Sequence, residues 1–230
     1  MLHCTIVGTG DMSHGLAHLY SNNNNKFALN TLEVTKPGIT TTPTGKNQTA
    51  MFHNTGVPLV RFKESITRAD IVILAIPAVA LKSFVSEHFE LLRDKILVDV
   101  TNSAVRGEDL SSLCRLTDVE WVKAFNDIGA VDLLLHKPYS KSRVATTMCS
   151  PNKKALGLVQ HFAEESFGMI VKNVPPSRYY DVAMHQNSFG EQWVHAMWTM
   201  LVIFACTELY AILRYNVFKG YGMLCCSFRY

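Results

Sequence analysis

Residues 4–17 read Cys4-Thr5-Ile6-Val7-Gly8-Thr9-Gly10-Asp11-Met12-Ser13-His14-Gly15-Leu16-Ala17, and no other stretch restricts the possible folds of this chain so strongly. A short apolar, β-branched run ends in a Gly-x-Gly turn, and a helix-like run opens directly after it. That order is the strand–turn–helix on which dinucleotides bind. Gly8 permits the tight turn around Thr9, and Gly10 lets the backbone approach a pyrophosphate. The helix that follows offers free N–H groups and a positive dipole end to the anion. The third small position of the usual fingerprint is held by Ser13 instead of glycine. The alternative is an ordinary strand–helix turn, but the chain continues strand–helix–strand, which favours a nucleotide site.

The remainder of the sequence fits such a domain. With 48% hydrophobic and 18% charged residues, the chain can bury a sizeable core and is not of disordered composition. A net charge of +3, with no Lys/Arg cluster interleaved with aromatics, argues against a nucleic-acid partner. Cys4, Cys114, Cys149, Cys206, Cys225 and Cys226 show neither Cys-x-x-Cys pairs nor zinc-finger spacing. With no signal peptide before the first strand, thiols in a reducing compartment are expected, and the nucleotide domain should face the cytosol.

Strands are expected at 2–7, 27–34, 69–77, 95–102, 121–126, 143–148 and 169–174, with a further short one at 57–61. Helices are expected at 12–21, 63–68, 78–92 and 151–167. Residues 36–54 read as a long surface loop rich in Thr, Pro, Gly and Asn. Continuous apolar runs such as Ile71-Val72-Ile73-Leu74-Ala75-Ile76 suit parallel strands covered on both faces. The expected fold class is therefore α/β, a doubly wound, Rossmann-like parallel sheet. Residues 1–176 would form the dinucleotide-binding oxidoreductase domain, 177–193 a linker and 214–230 a short tail. Between them, residues 194–213 contain only His195 and Glu208 as ionisable groups and are long enough for a transmembrane helix. Glu208 is costly in lipid and supports the alternative of a buried or oligomer-forming helix. A cytosolic domain also puts Arg214, Lys219 and Arg229 on the far side, against the positive-inside tendency.

The end of the second strand bears on cofactor choice. An acidic residue there binds the ribose hydroxyls of NAD, whereas basic or small polar residues accept the extra phosphate of NADP. By alternation Val34 or Thr35 falls at the ribose position, Lys36 can reach a phosphate, and Glu33 points to the opposite face. A one-residue slip would put Glu33 on the ribose and favour NAD. NADP(H) is the expected cofactor.

Several segments together resemble one family. Gly8-Thr9-Gly10-Asp11 followed by Leu16-Ala17 is similar to its Gly-x-Gly-Asp loop. Lys95-Ile96-Leu97-Val98-Asp99-Val100-Thr101-Asn102 is similar to its "KILVDVSN", and Val122-Lys123-Ala124-Phe125-Asn126 to its "VKAFN". Trp198 and the apolar run after it resemble the start of its first membrane helix. The family is the STEAP metalloreductases, six-helix membrane ferric and cupric reductases whose cytosolic domain is related to deazaflavin-dependent NADP reductases. The resemblance implies hydride transfer from NADPH to a flavin (FAD), then electron transfer through a membrane haem to iron or copper. It places the pyrophosphate on Gly10, Asp11, Met12 and Ser13, and the adenosine phosphate near Val34 and Thr35, where the family has Ser-Arg. It places the nicotinamide half along Ile76, Pro77, Asn102, Asn126 and Ala130. Val131 stands where the family has a tryptophan that packs against the flavin.

On this reading the chain looks like a member truncated after its first membrane helix, without the haem-bearing helices. It would be membrane-associated at an endosomal or plasma membrane, with its nucleotide domain in the cytosol. Its partners would be a flavin or flavoprotein acceptor and either a second copy or a full-length six-helix reductase. Two alternatives stand beside it: a soluble NADP-dependent reductase that dimerises through 194–213, and a catalytically idle NADP-binding regulatory subunit. No catalytic side chain is assigned, and no metal site is expected. The nine histidines are scattered, and His14 and His18 read as a half-solvated helix face.

Overall fold

The computed structural model describes residues 1–23, 30–36, 52–101, 110–115, 119–136, 143–178, 197–208 and 210. The chain forms two units, Met1–Gln186 and Asn187–Tyr230. In the first, seven strands lie in one sheet: β1 (His3–Val7), β2 (Thr31–Thr35), β3 (Ile71–Leu74), β4 (Ile96–Asp99), β5 (Trp121–Ala124), β6 (Ala145–Cys149) and β7 (Ile170–Asn173). Their order is β2-β1-β3-β4-β5-β6-β7. The described helices of this unit are α1 (Asp11–Asn23), α2 (Phe62–Arg68), α3 (Ala78–Glu87), α4 (Phe89–Leu92), α5 (Leu110–Arg115), α6 (Ala130–Leu135) and α7 (Lys153–Phe167).

Side chains alternate across a strand, so a sheet with apolar residues on both faces needs two cores. Ile6, Ile73, Val98 and Val122 share one core with Leu16 and Leu19 of α1 and Phe162 and Ala163 of α7. Val7, Leu74, Leu97 and Trp121 share the other with Ile66 of α2, Leu81 and Phe84 of α3, and Leu110 of α5. Each fully buried aliphatic side chain contributes about 1.5–3 kcal/mol of transfer free energy. The α/β Rossmann-like expectation therefore holds.

Four details differ from the sequence reading. The sheet is not wholly parallel: β5 pairs with β6 antiparallel, and β7 runs parallel to β6. The strand expected at 57–61 is a single bridge, Leu59 to Val34. The helix expected at 78–92 breaks at His88 (φ −112°, ψ 16°), whose ring packs 4.7 Å from Phe62 and 4.9 Å from Phe84. Phe52, at the end of the expected surface loop, is buried and meets the His14 ring edge-on at 5.6 Å. Residues 37–51 of that loop lie outside the described residues.

In the second unit, residues 197–208 are helical and exposed along their whole length. Trp198 and Phe204 are 64% and 65% exposed. Among the described residues no helix is long and apolar enough to cross a membrane, so the expected span over 194–213 is not found. Its flanks at 194–196 and 211–213, most of the linker and the tail at 214–230 lie outside the described residues.

Candidate functional site at the carboxyl edge of the sheet

Strands β1 to β5 are parallel, so their C-terminal ends share one edge. The chain reverses direction of sheet growth between β1 and β3, because β2 lies on one side of β1 and β3 on the other. Ligands of open α/β sheets bind at such a switch point. Gly8 sits there with φ +124°, a conformation that favours glycine. Its N–H donates to the Thr35 carbonyl at 2.8 Å. A Cβ on Gly8 would lie 2.1 Å from the Ala75 carbonyl oxygen, so the loop is wedged between the ends of β2 and β3. Gly10 is different: it is exposed, and a Cβ there would meet nothing within 4 Å. Open space therefore lies over the loop.

Helix α1 begins at Asp11, and the first intrahelical bond at this end runs from His14 N to Gly10 O at 3.0 Å. The N–H groups of the first turn, at Asp11, Met12 and Ser13, have no acceptor within the helix. Ser13 Oγ is fully buried and has no hydrogen-bond partner. Gly15 allows α1 to press on α6, since a Cβ there would sit 2.8 Å from Leu133 Cβ and 3.2 Å from Ala130 O. Ala130 is thereby held at the start of α6, close to α1.

At the end of β2 the three predicted residues separate. The Val34 side chain lies in the core, and the Thr35 hydroxyl donates to Val60 O at 2.9 Å with no exposure to solvent. Neither presents a free polar group, and Lys36, just beyond the strand, is exposed. Glu33 faces α2, where it accepts from Arg68 at 2.8 Å and from Ser65 Oγ at 2.9 Å. Its carboxylate is thus committed away from the β2–β1 edge.

Ile76 and Pro77 follow β3, with Ile76 partly buried and Pro77 exposed as the residue before α3. Asn102 lies outside the described residues. Asn126, just beyond β5, is fully buried, and its amide donates to the Thr101 carbonyl at 2.6 Å. The intervening Phe125 has φ 64°, rare for a bulky residue, and is held by an edge-on contact with Phe167 at 5.9 Å. Such a backbone costs about 1–3 kcal/mol and persists only where surroundings over-determine it.

Neither Asp99 nor Lys123 is among the site residues expected from the sequence. The register sets Asp99 of β4 beside Lys123 of β5. Lys123 Nζ lies 3.3 Å from Asp99 Oδ2, with both side chains fully buried, and also donates to the Thr101 carbonyl. The available signal was a charged residue in each of two otherwise apolar neighbouring strands. Cys149 of β6 lies opposite Lys123, and burial pushes its thiol pKa up to about 12, only partly opposed by the nearby Lys123 charge. Among the described residues no group of three His, Cys, Asp or Glu could hold a metal ion.

Comparison with known proteins agrees with this architecture. Residues 3–103 match the model of a family described as NADP oxidoreductase, coenzyme F420-dependent. Comparison with the curated proteins gives no match. Among solved structures, one from Arthrobacter sp. FB24, described as an F420-dependent NADP-reductase, is similar with a TM-score of 0.64 at 18% identity, over 85% of this chain and 95% of that one. Pyrroline carboxylate reductase from Plasmodium falciparum, solved with NADP bound, has a TM-score of 0.57 at 16% identity, over 85% of this chain and 66% of that one. An imine reductase from Myxococcus stipitatus in complex with NADP+ has a TM-score of 0.54 at 14% identity, over 86% of this chain and 62% of that one. At these identities the structures show the fold. That fold is Rossmann-like, and the family match covers residues 3–103, less than half of the chain.

Proposed function

We propose that the chain is an NADP(H)-dependent oxidoreductase that binds the dinucleotide along the carboxyl edge of β1 to β5. The observation that carries this reading is the Gly8–Gly10 loop, wedged at Gly8 and open above Gly10, at the mouth of α1. The unpartnered Ser13 hydroxyl fits the same group, since a pyrophosphate would bring acceptor oxygens to that turn. The amides of Gly10, Asp11, Met12 and Ser13 would hold the pyrophosphate. Lys36 would meet the adenosine phosphate, and Asn126 with Ile76 and Pro77 would orient the nicotinamide half. NADP(H) is favoured over NAD(H) because Glu33 is occupied by Arg68 and Ser65 on the other side, leaving a cation and no carboxylate by the ribose. When bound, the nicotinamide supplies the hydride; the chain supplies position and electrostatics.

A second, finer reading is a STEAP-type module that passes the hydride to FAD beside a membrane, with a six-helix reductase or a second copy as partner. The helix at 197–208 favours it, because an apolar surface exposed on every side requires cover in water. Titration of the purified chain in mild detergent with NADPH and NADH, followed by fluorescence with and without FAD, tests both. The expected result is tight NADPH binding and weaker NADH binding. Flavin reduction would support the STEAP-type reading. Binding without flavin reduction would leave a reductase with another acceptor or a regulatory subunit. Absence of binding to either nucleotide would overturn the proposal.

A further inference from the structure

The buried lysine–aspartate pair at the ends of β4 and β5 has no role in the reading so far. A lysine is rarely fully buried, because removing its ammonium from water is costly. Lys123 is fully buried, and its ammonium reaches two acceptors, the Asp99 carboxylate and the Thr101 carbonyl. The other Asp99 oxygen accepts from both the backbone N–H and the hydroxyl of Thr101, each at 2.7 Å. The Thr101 carbonyl accepts in addition from the Asn126 amide at 2.6 Å. Asp99 thus holds Thr101 from one side, and Lys123 polarises the same residue's carbonyl, on which Asn126 rests. Phe125, left-handed at φ 64°, turns the chain at the end of β5, and the Asn126 amide after it meets the segment that follows β4 at Thr101.

A hydrophobic pair of similar volume is often as stable as a buried ion pair, or more so. Stability alone therefore does not account for these residues. What a charged pair adds is a carbonyl fixed in place and made a stronger acceptor.

We propose that Lys123 and Asp99 are positioning residues which, through the Thr101 carbonyl, fix the Asn126 amide at the nicotinamide half of the dinucleotide edge. The proposal rests on the nucleotide-binding reading above. It differs from a packing role in one respect: it concerns one half of the ligand only. Loss of the pair should loosen the nicotinamide half while the Gly8–Gly10 loop continues to hold the adenosine half.

The test compares two probes on the full chain in mild detergent: NADPH, which spans the edge, and 2′,5′-ADP, which carries only the adenosine half. The Asp99→Asn, Lys123→Met double variant removes both charges together, so no lone charge is left buried, and the introduced carboxamide can still accept from Thr101. NADPH affinity is expected to fall on the order of 10-fold, as for loss of one buried hydrogen bond. Affinity for 2′,5′-ADP is expected to stay within about 2-fold of the wild type. Asn126→Ala, which leaves the pair intact, should give the same split. Equal loss for both probes in the double variant would mean a general structural role and would overturn the proposal, as would no loss for either. An Asn126→Ala variant with unchanged NADPH affinity would overturn it too, since the pair would have nothing to position. A wild-type chain that binds 2′,5′-ADP and NADPH equally well would refute the positioning role alone, whereas one that binds neither would refute the nucleotide reading itself.

Discussion

The two ends of the proposed dinucleotide edge are made of different material. At the β1 end the contacts on offer are backbone: amides of α1 and a glycine loop shaped by the carbonyls of Thr35 and Ala75. At the β4–β5 end they are side chains, held by a fully buried ion pair and a left-handed phenylalanine. A backbone site depends on what cannot be placed there, namely a Cβ at Gly8. A side-chain site depends on long-range register, because Asp99 and Lys123 meet only when β4 and β5 pair as they do. The first kind is broken by adding an atom and the second by removing a charge.

The largest effect is expected from Gly8→Ala. A Cβ 2.1 Å from the Ala75 oxygen, at φ +124°, combines overpacking with backbone strain. Together these should cost roughly 4 kcal/mol or more. Denaturant unfolding would show the loss, and NADPH titration should detect no binding; a variant that still binds would mean that the loop tolerates a side chain and that the contrast between the ends is false.

Next comes Lys123→Met alone, which strands a buried carboxylate and should destabilise by about 3 kcal/mol. The same urea titration on Asp99→Asn, Lys123→Met should recover much of that loss. If the double variant is no more stable than the single one, the pair does not act as a unit.

The smallest effect lies beside it, at Cys149. Burial raises this thiol from 9.0 to about 12 in the folded chain. Between those values the unfolded chain has lost the proton that the folded chain keeps, so stability falls as pH rises from about 9 towards 12 and is unaffected below. The slope from this group is at most about 1.4 kcal/mol per pH unit. Unfolding at pH 8, 9.5 and 10.5 should show a shallower decline for Cys149→Ala than for the wild type. Equal slopes would remove the thiol from the account.

The same contrast explains how far the site could be read from the sequence. The β1 end is local: Ile6-Val7-Gly8-Thr9-Gly10-Asp11 contains its own strand, turn and helix start, so motif and geometry coincide. The four fully buried residues of β3 likewise announce a strand covered on both faces. The direction of β6 was not legible, because alternation in Ala145–Cys149 reads identically from either end. Nor was the break at His88, since apolar residues continue on both sides of it and only the stacking of Phe62 and Phe84 on its ring singles it out. Thr35 reads as a residue free to meet a ligand, yet Val60 reaches its hydroxyl by way of the Leu59 bridge, a contact set by a segment 25 residues away. For 194–213, hydropathy reports how apolar a segment is but not what covers it. Lys123 was visible as an oddity in an apolar strand, but its partner required the sheet.

The reversal of β6 and β7 has a consequence for the route of the polypeptide. Because β7 runs against β1 to β5, the chain enters it beyond the carboxyl edge and runs back towards the amino edge; its last residue, Asn173, stands opposite Met148 and so level with Ala124 at the end of β5. Each residue after Asn173 that continues this direction carries the chain about 3.3 Å further from the carboxyl edge. The main chain thus leaves the sheet heading away from the edge at which a small molecule would enter. A segment joined after Asn173 therefore sets out in the direction away from the mouth.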